Sequence, residues 1–105
     1  MADVDVFSAL ANPVRRRLLE LVAESPRNAG SLAAEFELSR PAVSEHLQVL
    51  RRADLVTEEI NGREHLYRLT PRPLAELDDW LRPFERYWRG VLSNLTDHLL
   101  EDLEP

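Results

Sequence analysis

The sequence predicts a mainly α-helical fold with one small β-hairpin, and three observations support this fold class. Two helix starts are visible, because a capping residue precedes proline in the runs Asn12-Pro13 and Ser39-Arg40-Pro41. Two β-prone runs flank Asn61-Gly62, which is a strong hairpin signal. Large apolar residues recur every three or four positions through residues 73–105, as they do on one face of a helix.

The composition fits one soluble globular domain. The chain has 105 residues, of which 44% are hydrophobic and 30% are charged. It contains no cysteine, which excludes disulfides and thiolate metal sites. No apolar stretch approaches the length of a membrane helix, and residues 1–6 lack the basic region of a signal peptide. We therefore expect a cytoplasmic protein with no membrane partner.

The net charge of −6 is unevenly distributed along the chain. Residues 11–72 hold ten arginines against nine acidic residues, a balance of +1. Residues 73–105 hold three arginines against eight acidic residues, a balance of −5. Asp3 and Asp5 supply the remaining −2. The excess of acid therefore lies outside residues 11–72, and the net charge remains compatible with DNA contact through one face.

The first three helices can be placed from their caps and apolar spacing. A short helix lies near residues 4–10, and a second runs from Pro13 to about Ala23. Asn28 can cap a third helix that continues to about Phe36. The positions of the second and third helices that we expect to face the core are Val14, Leu18, Leu21, Val22, Ala29, Leu32, Ala33 and Phe36.

Three consecutive arginines, Arg15, Arg16 and Arg17, stand in the first turns of the second helix. This is an unfavourable place for positive charge, because the helix dipole is positive there. Their position indicates either an external anion, such as a DNA phosphate, or a carboxylate from elsewhere in the fold. Both interpretations remain open from the sequence.

The segment that follows Ser39 has the features of a DNA-recognition helix. The turn 37–39 has about three residues, the length that a helix-turn-helix needs, and we expect Leu38 to fill the corner between the two helices. Val43, Leu47 and Leu50 form an apolar stripe. The side chains left for base edges or phosphates are Arg40, Ser44, Glu45 and Gln48, with Arg51 and Arg52 at the helix end. The alternative is an ordinary amphipathic surface helix.

A β-hairpin follows the recognition helix, with strands near residues 55–60 and 65–69. Tyr67 and Leu69 alternate with Arg68, so we expect the first two to face inward. Arg63 at the tip can reach a minor groove or a phosphate, or it can be a solvated turn residue. Three helices, a tight turn, a recognition helix and a hairpin in this order predict a winged helix-turn-helix.

The last third of the chain is predicted to be a dimerisation segment. The run Thr70-Pro71-Arg72-Pro73 ends the hairpin, which divides the domain into a DNA-binding core, 1–70, and a C-terminal helix, 71–105. Its apolar residues are too many for one small domain to bury, and an exposed patch of that size usually marks an interface. Pro83 must kink the helix or begin a second one. Packing entirely on its own domain, or aromatic residues lining an organic-ligand pocket, are the alternatives.

These features resemble the ArsR/SmtB family of bacterial winged-helix repressors. The residues that carry the resemblance are Leu10-Ala11-Asn12-Pro13-Val14-Arg15, Leu32-Ala33, the run 39–50, Gly62-Arg63 and Tyr67-Arg68-Leu69. The resemblance implies a homodimeric repressor that binds imperfect palindromes and pairs through its first and last helices. It also implies that Arg40, Pro41, Ser44 and Glu45 face the groove and that His46 is half-buried behind them.

The sequence thus gives two sets of candidate residues. The DNA-binding set is Ser39, Arg40, Pro41, Ser44, Glu45, Gln48, Arg51, Arg63, Arg15 and Arg16. The dimerisation set is Phe7, Leu77, Leu81, Phe84, Trp88, Leu92 and Leu95. The partners expected are double-stranded DNA with a palindromic operator, a second copy of the chain and, as an open question, a small-molecule effector.

No cofactor, metal ion or catalytic activity is expected. His98, with Asp97, Glu101 and Asp102 nearby, offers too few ligands for a strong metal site. No Ser/His/Asp set or glycine-rich phosphate loop occurs, so an enzyme is a poor interpretation. The remaining alternatives are a winged helix that only contacts other proteins, and a repressor that senses a metal or a small ligand.

Overall fold

The computed structural model describes residues 2–103, and the side chains of residues 2–99. This part of the chain is mostly helical, with a small antiparallel sheet. The elements in chain order are α1 Val6–Ala9, α2 Pro13–Glu24, β1 Arg27–Asn28, α3 Ala29–Ala33, α4 Arg40–Arg52, β2 Val56–Asn61, β3 Glu64–Leu69, α5 Arg72–Leu81, a 3₁₀ turn Arg82–Phe84 and α6 Glu85–Leu103.

The predicted helix starts are confirmed by their cap hydrogen bonds. Asn12 Oδ1 accepts from the backbone N–H of Val14 at 2.9 Å, and Pro13 opens α2. Ser39 Oγ accepts from the backbone N–H of Ala42 at 3.2 Å, at the start of α4. These bonds satisfy amide groups that have no partner inside the helix, which is why the sequence signals for both starts were strong.

The hydrophobic core lies between α2, α3, α4 and the sheet. The predicted stripe of α4 is confirmed, since Val43, Leu47 and Leu50 are fully buried. The other side chains in the core are Val6, Ala9, Leu18, Leu19, Leu21, Val22, Leu32, Ala53, Leu55, Val56 and Tyr67. Because one face of α4 is anchored along its whole length, its opposite face is held rigidly toward solvent.

The third helix is shorter than the sequence predicts. It ends at Ala33, after which the N–H of Phe36 donates to the Ala33 carbonyl at 3.1 Å, a bond three residues back that tightens the chain into turns. The connection to α4 therefore spans residues 34–39 rather than 37–39. The prediction for Leu38 is wrong: its side chain is 39% exposed, and Leu32 is buried in the core instead.

The sheet has the strand order β1-β3-β2. The hairpin is confirmed, with Tyr67 buried and Leu69 half-buried against the core while Arg68 faces water. Its turn lies one residue later than predicted: Asn61 pairs with Glu64, so residues 62–63 form the turn. Gly62 has φ +65°, a conformation that costs glycine little because it has no Cβ.

Strand β1 was not predicted from the sequence. The run around residues 25–28 contains proline and asparagine, which are typical of a break between helices. In the structure Arg27 and Asn28 pair with Tyr67 and Leu66 of β3. Asn28 also caps α3, as predicted, since its Oδ1 accepts from the backbone N–H of Ser31 at 2.7 Å. The two residues thus join the hairpin to the helices.

Pro83 splits the C-terminal segment into two helices joined by a 3₁₀ turn. Leu74 and Leu77 of α5 are half-buried against the core, whereas residues 86–99 of α6 are all exposed. The alternative in which this segment packs entirely on its own domain is therefore wrong. In the described part of the chain, no helix combines the length and the apolar character needed to cross a bilayer.

Candidate nucleic-acid interface

The recognition helix α4 presents a polar face beside the hairpin. Arg40, its first residue, is exposed, as are Pro41, Glu45 and Gln48, while Ser44 is half-buried. His46 is half-buried behind this face, as the family resemblance implied. The buried stripe on the other side of α4 fixes the orientation of the helix. Arg40, Ser44 and Gln48, which follow one another at about one helical turn, therefore lie on the same face.

A cleft of about 430 Å³ separates α4 from the hairpin, and we call it the helix–wing cleft. It is lined by Asn28, Ala29, Gly30, Arg40, Ser44, Glu58, Arg63, Glu64, His65 and Tyr67. Residues from the recognition helix, from the hairpin tip and from the start of α3 thus meet at one opening, although they lie far apart in sequence.

Two cations of the helix–wing cleft have no side-chain partner within the region for which side chains are described. Neither the Arg40 side chain nor the Arg63 side chain has a hydrogen bond or an ion pair with another residue in 2–99. The Arg40 guanidinium lies beside the start of α3, since a Cβ added at Gly30 would stand 3.9 Å from Arg40 Cζ. Because no carboxylate neutralises them, both side chains are available to an anion from outside the protein.

The hairpin side of the cleft is acidic. Glu58 is half-buried, and its carboxylate accepts from Arg51 Nη1 at 2.9 Å and from His65 Nδ1 at 2.5 Å. Burial raises the pKa of the Tyr67 phenol, and the negative charge of Glu58 adds to the rise while Arg51 opposes it. The phenol therefore stays uncharged at neutral pH, and it adds no charge to the arginines and carboxylates of the cleft.

The predicted phosphate anchor Arg51 is already engaged in an ion pair with Glu58. Its neighbour Arg52 pairs with Asp3 from the N-terminal segment, with Nε and Oδ1 3.2 Å apart. Both arginines lie in the last turn of α4, where the helix dipole favours positive charge. Any phosphate contact by Arg51 must therefore compete with an internal carboxylate.

The structure gives two arginines of α2 partners that neither interpretation from the sequence named. Arg15 Nε donates to the Ala9 carbonyl at 2.6 Å, and Arg16 Nη1 donates to the Leu10 carbonyl at 2.8 Å. Both side chains thus bind carbonyl oxygens at the end of α1, so neither an anion nor a carboxylate is needed to explain them. The third arginine, Arg17, forms an exposed ion pair with Glu20.

Arg15 also connects α2 to the recognition helix. Its Nη1 donates to His46 Nδ1 at 3.3 Å, because a guanidinium can only donate and the ring nitrogen must accept. Its Nη2 donates to the Ser8 carbonyl at 3.2 Å. The half-buried Arg15 therefore joins α1, α2 and α4.

We expect Arg15→Ala to lower the free energy of unfolding by about 1–2 kcal/mol, because three charge-assisted hydrogen bonds are lost together. Urea denaturation at fixed protein concentration measures the change. Arg17→Ala is the matched control, since it removes the same side chain from the same helix but breaks only an exposed pair worth less than about 0.5 kcal/mol. Equal losses in the two variants would contradict this role of Arg15.

Neither Glu58 nor His65 is among the candidate residues predicted from the sequence. A signal for Glu58 was present, because residues at a spacing of two share one face of a strand. Val56 is buried in the core, so Glu58 must also point inward, opposite Tyr67. The contact between His65 and Glu58 could not be predicted in this way, because it depends on the register of the hairpin.

A second candidate surface is formed by residues of α1, α5 and α6. Phe7 and Trp80 meet edge to face, with ring centroids 5.6 Å apart, and Trp80 lies 5.0 Å from Phe84. The predicted dimerisation residues that are more than a third exposed are Phe7, Leu81, Phe84, Trp88, Leu92 and Leu95, while Leu77 is half-buried. Trp88, Leu92, Leu95 and Leu99 form one row along α6, which we call the apolar row.

The metal ligands considered in the sequence do not form a cluster in the region for which side chains are described. Within residues 2–99, no group of three or more histidine, aspartate or glutamate side chains is placed to hold a metal ion. Glu101 and Asp102, named with His98 and Asp97, have side chains outside the described region.

Comparison with known proteins agrees with this architecture. The family model described as bacterial regulatory protein, arsR family, matches residues 12–58, from the cap of α2 to β2. The HTH-type transcriptional regulator Rv2034 of Mycobacterium tuberculosis is 40% identical over 83% of this chain and 78% of its own length. The transcriptional repressor SdpR of Bacillus subtilis is 31% identical over 76% of this chain and 89% of its own length.

A solved structure extends the likeness to nearly the whole chain. The crystal structure of a possible transcriptional regulator for arsenical resistance has a TM-score of 0.70 and 38% identity, and the match covers 97% of this chain and 99% of that one. Its coverage includes the C-terminal segment that the family model leaves out. The chain therefore belongs to the arsR family of bacterial regulatory proteins, and it is a DNA-binding transcriptional regulator rather than an enzyme.

Proposed function

We propose that the protein is a homodimeric repressor that reads a palindromic operator with α4 and the hairpin wing. The observation that carries the proposal is the pair Arg40 and Arg63, whose side chains have no partner in residues 2–99 and which lie on the recognition helix and on the wing of one cleft. A recognition helix enters the major groove with its N-terminal residues on the base edges. In the proposed arrangement the wing then lies beside the DNA backbone. The cleft between them is where the intervening phosphates would pass.

The C-terminal segment, 71–105, supports assembly into a dimer. Regulators of this family often act as dimers. The apolar row is exposed in the single chain, and a second copy would cover it. Charge supports a two-fold arrangement: Arg86 and Arg89 lie in the first part of α6, where Arg89 pairs with Glu85, and Asp97 lies toward its end. An antiparallel pair of α6 helices would bring opposite charges together.

A two-fold symmetric dimer is expected to bind a DNA sequence with the same two-fold symmetry. A dimer would present two copies of Arg40 and its neighbours to major grooves about 34 Å apart, or a multiple of that distance. The preferred sequence is therefore expected to be palindromic. Selection from a random-sequence pool yields this duplex, which we call the operator duplex, and a scrambled duplex of the same length and composition serves as the reference.

Fluorescence anisotropy on these two duplexes over a range of salt concentrations tests the function. A repressor binds the operator duplex far more tightly than the scrambled one, and both affinities fall as salt rises because phosphate contacts release counterions. A winged helix that only contacts proteins would bind neither duplex measurably. Selection that returns no preferred sequence would also contradict the proposal.

Arg63→Ala is expected to weaken binding to both duplexes by a similar factor. Its guanidinium, at the hairpin tip, is proposed to meet a phosphate, so the slope of log affinity against log salt should fall by about one unit. Arg68→Ala is the matched control on the same hairpin, because Arg68 is paired with Glu59. An unchanged slope in Arg63→Ala would remove this residue from the phosphate contacts.

A further inference from the structure

Glu58 stands out among the ion-paired carboxylates that the structure describes in residues 2–99. Its side chain is only 17% exposed, whereas Glu85, the next most buried of them, is 33% exposed. One carboxylate oxygen accepts from Arg51 of α4 and the other from His65 of β3. Since a carboxylate can only accept, His65 Nδ1 carries the proton of that bond. We call these three residues the Glu58 bridge.

The Glu58 bridge joins the two elements that are expected to touch DNA. Glu58 belongs to β2 and His65 to β3, so both strands of the wing are connected to the C-terminal half of the recognition helix. Tyr67, paired with Glu58 in register, anchors the same part of the hairpin in the core. Beyond this point the hairpin is exposed, from Ile60 to His65.

The position of Glu58 is unfavourable if only charge is considered. A carboxylate in the helix–wing cleft would repel the phosphates that are proposed to pass there. The adjacent Glu59 lies on the other face of the strand, is half exposed and pairs with Arg68. The two neighbouring glutamates therefore differ in position and not in chemistry, and the contribution of Glu58 to DNA binding has to be geometric.

We propose that Glu58 is a positioning residue for sequence reading, because its bridge fixes the wing relative to the recognition helix. The proposal rests on DNA reading by α4 and the wing as described under Proposed function. With the bridge intact, Arg40 and Arg63 are held on opposite sides of the cleft. Specific binding needs both elements at the correct spacing, whereas binding to any sequence needs only positive charge near the phosphates.

The test compares Glu58→Gln with Glu59→Gln on the operator and scrambled duplexes. Both variants remove one negative charge from neighbouring positions of β2, so the change in overall charge is matched. In Glu58→Gln we expect the ratio of the two affinities to fall about tenfold, through loss of operator affinity, while binding to the scrambled duplex stays the same or rises. In Glu59→Gln the ratio should stay within about twofold.

A double-mutant cycle separates positioning from simple support of the fold. His65→Gln removes the other end of the bridge from an exposed site and is expected to lower the ratio about threefold. Added to Glu58→Gln, it should have no further effect, because the bridge is already broken. Circular dichroism melting curves report the stability of each variant, and His65→Gln carries the test by itself if Glu58→Gln does not fold.

Each outcome decides the proposal. A selective loss of operator affinity that is not additive in the cycle supports it. An unchanged ratio overturns it, whether both affinities rise, as for a merely repulsive charge, or fall together, as for a merely structural residue. If the wild-type protein itself does not prefer the operator duplex, the proposed function fails; if the wild type discriminates and Glu58→Gln discriminates equally well, only this inference fails.

Discussion

Leu95→Glu is expected to convert the protein into a monomer and to weaken binding to the operator duplex at least about 100-fold. Leu95 lies in the middle of the apolar row of α6 and is 53% exposed in the single chain. In the proposed dimer this side chain is covered by the second copy, so two glutamates would be buried near the two-fold axis. A monomer reads only one half of a palindrome and loses the gain in affinity from simultaneous contact with both halves.

Ser93→Glu is the matched control for this prediction. Ser93 is exposed on the same helix, but it lies on the side opposite Leu95, so the added charge stays in water. Sedimentation at micromolar concentration gives the assembly state, and anisotropy gives the affinity for the operator duplex. A dimer that persists in Leu95→Glu, or a wild-type protein that is already monomeric, would refute pairing through α6.

The result should not be confused with unfolding. Residues 86–99 of α6 are all exposed, so the change at Leu95 leaves the hydrophobic core of the winged domain untouched. The helical content of the variant, measured by circular dichroism, should therefore stay close to that of the wild type. Loss of affinity together with a preserved spectrum assigns the effect to assembly.

Features that depend on neighbouring residues were predictable from the sequence. Asn12 and Ser39 cap their helices with bonds to amides two or three residues away, and Gly62 supplies the positive φ of the hairpin turn. The buried stripe of α4 was predictable because its apolar residues are three or four positions apart, the spacing that places residues on one face of a helix. Each of these features depends on residues that are close in sequence, so it can be predicted without knowing the tertiary structure.

Features that depend on distant residues were not predictable. Strand β1 has two residues and exists only because β3 lies beside it, while its own sequence is typical of a turn. The exposure of Leu38 follows from the early end of α3 at Ala33, where bonds to residues three back replace the helical pattern. An error of one residue in the hairpin turn also hid which side chains meet across the strands.

The arginines of the candidate site also show that contacts between distant residues could not be predicted from the sequence. From the sequence, Arg15, Arg16, Arg40, Arg51 and Arg63 were all candidates for phosphate contact, and Arg40 was also a candidate for base contact. In the structure the first two bind carbonyl oxygens at the end of α1, and Arg51 pairs with Glu58. An arginine side chain is long enough to reach several partners, so its role depends on the tertiary contacts around it. Of these five arginines, Arg40 and Arg63 are the two whose side chains have no partner in residues 2–99 and can therefore bind DNA without breaking an internal contact.

Arg40→Ala is expected to lower the affinity for the operator duplex by about 1–3 kcal/mol and the affinity for the scrambled duplex by much less. Arg40 is the first residue of the recognition helix, where side chains of this motif reach base edges. Its planar guanidinium can donate to guanine O6 and N7 together. No ion pair with another residue in 2–99 has to be broken before it turns from the start of α3 toward the groove.

The comparison of the two duplexes distinguishes base reading from phosphate contact at Arg40. A phosphate contact is present on any sequence, so its loss would weaken both duplexes equally and lower the salt slope by about one unit. Arg17→Ala removes a charge of the same sign from an exposed position of α2 and measures the long-range contribution of one arginine. A loss confined to the operator duplex, with Arg17→Ala nearly unchanged on both, assigns base recognition to Arg40, while equal losses on both duplexes would restrict Arg40 to the DNA backbone.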